Sequence, residues 1–498
     1  MADIALSGRE ADLVHAALSQ DRSTALKAWD SWCGSVILEE APHAELRLLP
    51  MVHANLSRVA PDSPLPAKLR GKARATFTFN RLIGHEALPV LRALGAAMPV
   101  MVTKGIAFCV QFNAWAYRQT GDVDVHVRYR HLRPAVDIFT GLGWTPKYGM
   151  TPRSLKFRTP LRRNSWNLAK GKGDIDLHWR LLECETAGRL ADMFWNSAVA
   201  SSLFGVPVMT PSPEFSVVGS LHHGFREGTR ADILQTLVDC WHWLPLCDRT
   251  HLAEAVGVSN TGPLLSTLES AFEAARLSRG APAAVLRGAQ APQARPKAGP
   301  RVRTDKFVLR HRQVYRMWER LGRPELIERQ MLRFLGPASR PLAPSSNPRA
   351  AYDLRDCAVI DEIGGPGWGW PEPEHTCFWS DLGDNRLLVP LPAVRDYLAI
   401  FSVSAAARSS PKPDVWVFVN GRRAQKIKLR SASGTAFPIL VPRAHLFGRW
   451  VEFSFRPNHF DIGPATAYWE RRSLPAVGLR IMPMENVAAA LAADTVTR

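Results

Sequence analysis

Two short acidic patterns stand out in this sequence because their spacing suits chemistry. Gly121-Asp122-Val123-Asp124-Val125-His126-Val127 alternates polar and apolar residues, and Asp174-Ile175-Asp176-Leu177-His178 repeats the pattern about fifty residues later. On a strand, alternate side chains share a face, so Asp122, Asp124 and His126 point the same way. Carboxylates held a few ångströms apart repel one another, and a divalent cation offsets the repulsion; hard oxygen ligands of this kind suit Mg²⁺, which also keeps waters and phosphate oxygens. If the second strand lies beside the first, Asp174 or Asp176 supplies a third carboxylate. Three carboxylates on adjacent strands are what a two-metal phosphoryl or nucleotidyl transfer site requires. The plainer alternative is the solvated face of an edge strand.

Other reactive groups carry less. His178 shares a face with Asp176, and packing beside Trp179 is its alternative use. His222 and His223 have no cysteine or second carboxylate at zinc spacing, so a capping or packing role is expected of them. Seven cysteines without a C-x-x-C pair read as ordinary thiols of a reducing compartment. The sequence holds no G-x-S-x-G, Walker A or dinucleotide fingerprint.

The elements that must position these residues follow from periodicity. Residues 5–95 show helical spacing, with Pro61, Pro64 and Pro66 between two of the helices. Then come a short apolar run, MPVMVTKG, a helix-like AFCVQFNAWAYRQ, the alternating DVDVHVRY, a helix RPAVDIFTGLGW, and a hairpin ending in DIDLHWRL. Helices return from Pro213 to Val256. Beyond Pro348 strand-length runs follow one another, and Asn420-Gly421 is a strong hairpin signal. The expectation is a multidomain chain: an α/β (α+β) domain with helical flanks over 1–265, a basic Pro/Ala/Arg-rich linker with amphipathic helices over 266–348, an all-β sandwich or jelly roll over 349–486, and a tail over 487–498.

The order Lys104-Gly105, a helix through Tyr117-Arg118, Gly121-Asp122-Val123-Asp124-Val125, then Ile175-Asp176-Leu177-His178-Trp179, trailed by His222-His223-Gly224 and Leu237-Val238-Asp239, resembles the DNA polymerase beta-like nucleotidyltransferase superfamily, in particular its bacterial, uncharacterised branch. The resemblance covers residues 10–255. It implies a Mg²⁺-dependent transfer of a nucleoside monophosphate from an NTP to an acceptor, with two ions expected. Asp122 and Asp124 would bind both ions, and Asp176 would complete the site and help deprotonate the acceptor. Lys104 and Gly105 lie where the superfamily turns toward the triphosphate, although Ile106 replaces its serine. Arg118 would steady a phosphate or stand as an exposed helix-end arginine, and His178 is a further substrate-side candidate. Residues 352–485 resemble a β-sandwich module of bacterial polysaccharide glycosyltransferases. That implies an acceptor from surface-polysaccharide metabolism, with Trp368, Trp370 and Trp379 either stacking on sugars or filling the core.

The net charge of +18 is concentrated. Residues 275–349 hold seventeen Lys and Arg against Asp305, Glu319, Glu325 and Glu328. Phe307 and Trp318 fall near the apolar stripe of this segment, which argues for packing first, peripheral membrane contact second, and against sequence-specific nucleic-acid binding. An acid-bearing N-terminus without an apolar core and the lack of a long uncharged apolar run lead us to expect a cytoplasmic location, peripheral at the inner membrane if the basic segment meets lipid. Two other readings remain open. One is a glycosyltransferase using D-x-D, against which stands the helical texture before Asp122. The other is a non-catalytic carbohydrate-binding or scaffold protein with a degenerate transferase domain.

Overall fold

Ser7 opens the first helix by a reciprocal cap: its hydroxyl accepts from the Glu10 N–H, and the Glu10 carboxylate accepts from the Ser7 N–H. This is α1 (Gly8–Leu18). Asp21 caps α2 (Arg22–Ser35), and α3 (His43–Leu46), α4 (Leu49–Val59) and α5 (Ala67–Ala97) complete a helical layer. The prolines at 61, 64 and 66 fall between α4 and α5, as their missing N–H and fixed φ predict. The computed structural model describes residues 6–157, 159, 163–182, 188–227, 229–275, 277, 345–365, 368–371, 378–380, 385–403, 414–428, 435–446, 448–457 and 475–487.

Along the chain there follow β1 (Val100–Val102), α6 (Lys104–Phe112), β2 (Val123–Val127) and α7 (Leu132–Gly141), then β3 (Thr145–Pro146) and α8 (Pro152–Phe157), which belong to a different unit. After these come β4 (Ser165–Lys170), β5 (Gly173–His178), α9 (Gly188–Asn196), β6 (Val199–Leu203) and β7 (Val206–Thr210). Helices α10 (Pro213–Leu221), α11 (Arg230–Trp243), α12 (Arg249–Ser259) and α13 (Gly262–Ala274) follow. The helix expected to reach Tyr117-Arg118 stops earlier. Asn113 adopts the left-handed conformation, φ 49°, and closes α6 at Phe112, a cap that asparagine tolerates.

The described residues divide between two compact units, Met1–Trp144 with Asn164–Lys306 and Thr145–Arg163 with Phe307–Arg498. Within the first, the strands are ordered β4-β5-β2-β1-β7-β6. The central pair β2/β5 is parallel, whereas β1/β2 and β4/β5 are antiparallel. Apolar faces of β2 and β5 (Val123, Val125, Val127, Ile175, Leu177) are fully buried and form the core beneath the site. Helix α13 belongs to this unit, so its fold continues past residue 265.

The second unit includes an excursion that the sequence pattern did not announce. Ser154 of α8 donates to the buried Asp361, Oγ to Oδ1 2.6 Å, inside this unit. Its strands are β8 (Ala351–Asp353), β9 (Trp368–Pro371), β10 (Phe378–Ser380), β11 (Asn385–Pro390), β12 (Tyr397–Val403), β13 (Asp414–Val419), β14 (Arg422–Lys428), β15 (Thr435–Val441), β16 (Trp450–Pro457) and β17 (Pro475–Pro483). They form two antiparallel sheets, β15-β12-β17-β10-β9 with β8 on β17, and β11-β16-β13-β14. Asn420 and Gly421 both take positive φ, 46° and 79°, and turn β13 into β14, as this dipeptide predicts. Phe401 and Phe455 join the sheets, ring centroids 4.4 Å apart.

Trp368 takes the second of its two expected uses. It is 2% exposed and donates its Nε1–H to the Arg386 carbonyl, so it fills the core and offers no face to a sugar. The side chains of Trp370 and Trp379 lie outside the described part. So do the linker at 277–304, apart from Leu277, and the basic segment 305–336. Among the described residues no helix is long and apolar enough to cross a membrane, and the five cysteines described are free thiols.

Candidate functional site

The register of β2 against β5 decides the site. Asp124 pairs with Asp176 and His126 with His178 across the parallel ladder. Asp176, one of two candidates for the third carboxylate, therefore faces Asp124. Asp174 lies two residues earlier on the same face of β5, beside Asn167 of β4. Asp124, Asp176 and His178 each offer an atom to one cluster in which all ligand atoms fall within 4.8 Å. His178 Nε2 lies 3.0 Å from Asp124 Oδ1 and 2.8 Å from Asp176 Oδ2. His126 stacks on His178, centroids 4.4 Å apart and planes 3° from parallel. All four residues are buried.

Lys104 brings the opposite charge. It opens α6 with φ 47°, a left-handed conformation that costs a non-glycine residue free energy and often marks functional backbone. The Thr103 N–H before it donates to the Asp124 carbonyl, 3.0 Å. From this anchor the Lys104 ammonium reaches Asp124 Oδ1 at 2.6 Å and Asp176 Oδ2 at 3.9 Å. The ammonium thus sits where a cation between the carboxylates belongs.

The charges respond to one another. Burial opposes ionisation of Asp124, but Lys104 and His178 more than offset it and bring the carboxyl down to about 2. Asp176 is likewise held below the usual carboxylate range, burial notwithstanding, by His178 and Lys104. As it stands, Asp176 is a firmly ionised and therefore weak proton acceptor. Burial depresses His178, yet Asp176 and Asp124 raise it above its ordinary value, while burial and His178 hold stacked His126 well below. Asp122 lies outside the tight cluster. Burial and the nearby Asp124 push its carboxyl up to about 7. A carboxylate group this reluctant to ionise is short of positive charge, and one oxygen of the neighbouring set, Asp176 Oδ1, is buried without a hydrogen-bond partner. The donor set is acidic, mutually repelling and incompletely satisfied, which fits a hard divalent cation.

Arg118 is not an exposed helix-end residue. It is 7% exposed, and its guanidinium grips Asp239 of α11, with Nε to Oδ1 at 3.1 Å and Nη2 to Oδ2 at 2.8 Å. Its Nη1 also donates to the Gln119 carbonyl. Gly105 has a packing reason to be glycine, because a Cβ there would meet Thr120 Cγ2 at 2.6 Å and Arg118 Nη1 at 3.2 Å. Ile106, in place of a serine, is fully buried.

Asn80, Arg47 and Asp232 were not singled out from sequence, and Asp239 and His223 were quoted there without a role in the site. Fully buried Asn80 of α5 donates to the carbonyls of Trp115 (2.9 Å) and Arg118 (2.7 Å), and its Oδ1 accepts from the N–H and hydroxyl of Thr120. One side chain thus fixes the segment that delivers Asp122. Asp239 holds Arg118 and also accepts from Gln235 Nε2 at 2.9 Å. Arg47 Nη1 lies 3.1 Å from Asp232 Oδ1, and His223 Nε2 3.8 Å from it. Asp232 also caps α11 through Thr229. His223 thus packs against a capping acid, as expected. A lone polar residue in a helix gives no such signal before its partners are known.

These residues enclose a cavity of about 510 Å³, within the roughly 300–1,000 Å³ usual for small-molecule sites. Lys104, Gly105, Arg118, Asp122, Asp124, Asp174 and Asp176 are among its lining, together with His43, Arg47, His223 and Asp232. The cavity combines clustered carboxylates with Lys104, Arg47 and Arg118, each paired to an acid of the same lining. All of it lies within residues 43–250, which match a family described as uncharacterised nucleotidyltransferase. The match supports a nucleotidyltransferase-type domain over these residues. No curated protein matches the chain.

Proposed function

We propose that the first unit is a magnesium-dependent nucleotidyltransferase that moves a nucleoside monophosphate from an NTP to an acceptor. The observation that carries this is the pairing of Asp124 with Asp176 across two parallel strands, at the wall of a cavity within the family-matched residues. Asp122, Asp124 and Asp176 would hold the cation, with two ions expected. Magnesium supplies charge neutralisation between the nucleotide phosphates and the carboxylates. His178, bonded to both paired carboxylates, orients them. Arg47, which shares the lining with His43 and His223, is the basic side chain on the helical side and would exchange its Asp232 partner for the phosphate tail.

In the reaction the acceptor oxygen forms a bond to the α-phosphorus. The bond to the α,β-bridging oxygen breaks, and pyrophosphate leaves with the electron pair. The acceptor proton passes to solvent, since Asp124 and Asp176 are both held below the usual carboxylate range. A surface-polysaccharide acceptor rests on the resemblance of the C-terminal half alone. Incubation with each labelled NTP, Mg²⁺ and cell extract tests the reading. Label should move to an acceptor with the wild type and not with Asp124→Asn. Equal transfer by both proteins would refute it.

One observation favours a second reading. Lys104 and His178 already neutralise Asp124 and Asp176, so a non-catalytic domain would keep this cluster without a metal. Mg²⁺-dependent thermal stabilisation of the wild type that is absent in Asp124→Asn favours the enzyme, whereas no response to Mg²⁺ favours the second reading.

A further inference from the structure

We propose that α4, α5 and the segment after α6 form a second ligand pocket beside the carboxylate cavity, which takes the phosphate-bearing end of the acceptor. Its identity as an acceptor site rests on the transferase reading; its affinity for phosphate does not. The pocket measures about 490 Å³ and is lined by His53, Arg70, Arg74, Phe77 and Tyr117, among others. None of its lining residues is a carboxylate, the reverse of the first cavity. Arg70, Arg74 and Phe77 lie at three- and four-residue spacing on one face of α5. Among the described residues, neither arginine forms an ion pair. Two guanidiniums at this spacing with no acid partner suit a phosphate, whose oxygens accept their planar forks. Phe77 is exposed beside them, and the Tyr117 hydroxyl is tied to the Phe112 carbonyl at 2.5 Å, so rings are on hand for a flat or apolar part of the ligand.

Position supplies the link to transfer. Ala116 and Tyr117 line this pocket, and the next residues, Arg118 to Asp122, line the carboxylate cavity. Asn80 clamps this connecting segment to α5, the helix that carries Arg70, Arg74 and Phe77. A transferase needs room for two substrates. The acidic cavity suits the metal-bound nucleotide, and the basic pocket suits an anionic partner held by the same rigid segment.

The test uses the full chain and phenyl phosphate as probe, titrated calorimetrically in EDTA so that the carboxylate site plays no part. We expect saturable binding to the wild type and at least a tenfold loss in Arg70→Ala/Arg74→Ala; both residues are exposed, so the double variant keeps its thermal midpoint. Phenol should not bind. The double variant should retain Mg²⁺-dependent binding of a non-hydrolysable NTP analogue, and Asp124→Asn should show the opposite pattern. No binding of phenyl phosphate to the wild type, or undiminished binding to the double variant, overturns the proposal. So does a double variant that loses the NTP analogue equally, or a wild type that binds a single-stranded oligonucleotide but not phenyl phosphate. Failure of the NTP analogue to bind any protein would sink the transferase reading while leaving the phosphate pocket standing.

Discussion

Two buried polar networks lie within a few residues of each other in the first unit, and they are built to opposite rules. Around Asn80, every polar group of the side chain is used: two donors on the carbonyls of Trp115 and Arg118, one oxygen accepting twice from Thr120. The Arg118–Asp239 pair beside it is bidentate and closed. Around Asp124 and Asp176, Lys104 and His178 compete for the same carboxylate oxygens, Asp176 Oδ1 and His178 Nδ1 have no hydrogen-bond partner, and Asp122 is pushed toward neutrality. A satisfied buried network rigidifies, whereas a partly satisfied one is a cost that persists where a ligand completes it. The first network holds the segment that leads into β2, and the second is what β2 and β5 present.

That contrast is broken most severely at Asp124. Asp124→Asn should lower nucleotidyl transfer by about a thousandfold, the scale of losing a preorganised electrostatic group, read by label transfer from NTP. It also removes the partner of Lys104 and His178, so its urea midpoint should fall. Retained transfer would place the chemistry elsewhere.

Arg118→Ala should act on the other network. It leaves Asp239 buried without its cation, a loss of about 3–5 kcal/mol, measured by urea unfolding. Transfer per folded molecule should fall much less than in Asp124→Asn. If transfer falls while stability holds, Arg118 touches substrate and the division between the networks is wrong.

Asp122 sharpens the comparison through pH. Its folded carboxyl titrates at about 7 against an ordinary 3.8, so the native state keeps a proton that the unfolded chain has released. Stability from this group is full below about pH 4 and is lost as pH rises through 7. In EDTA, Asp122→Asn should therefore become progressively more stable than wild type between pH 4 and 7 and stay so above. Excess Mg²⁺ should erase that advantage. A difference that does not change with pH would contradict the assigned crowding of negative charge.

Glu10 gives the smallest effect and the opposite sign. Burial disfavours its carboxylate, but hydrogen bonds from Arg230 and Ser7 bring it down to about 2 from 4.5. Its contribution is present above about pH 4.5 and fades as pH falls toward 2. Glu10→Gln should cost up to about 1 kcal/mol at pH 7, as part-exposed ion pairs do, with less difference near pH 2. A constant cost would mean that capping, not charge, is what Glu10 supplies.

The alternation Asp122-Val123-Asp124-Val125-His126-Val127 was enough to predict a strand with its polar groups on one face, because side-chain direction on a strand depends only on position parity. Asn420-Gly421 announced its hairpin for an equally local reason, since few residues accept two consecutive positive φ values. The helical layer, the β4–β5 hairpin and most strands of the second unit were legible in the same way. The sequence did not say that Asp176, and not Asp174, faces Asp124; one register of β2 on β5 decides it. Nor did it say that Asn113 ends α6 early, that Arg118 turns inward to Asp239, or that residues 145–163 leave for the second unit. Asn80 and Arg47 carried no signal, and Asp239 figured only in the resemblance with no role attached, because each acquires its role from a partner 35 or more residues away, 185 in the case of Arg47 and Asp232. Periodicity and turn chemistry are properties of neighbours along the chain and can be read there. Charge compensation, register and cavities are properties of neighbours in space, and they exist only once the helices and the sheet have packed.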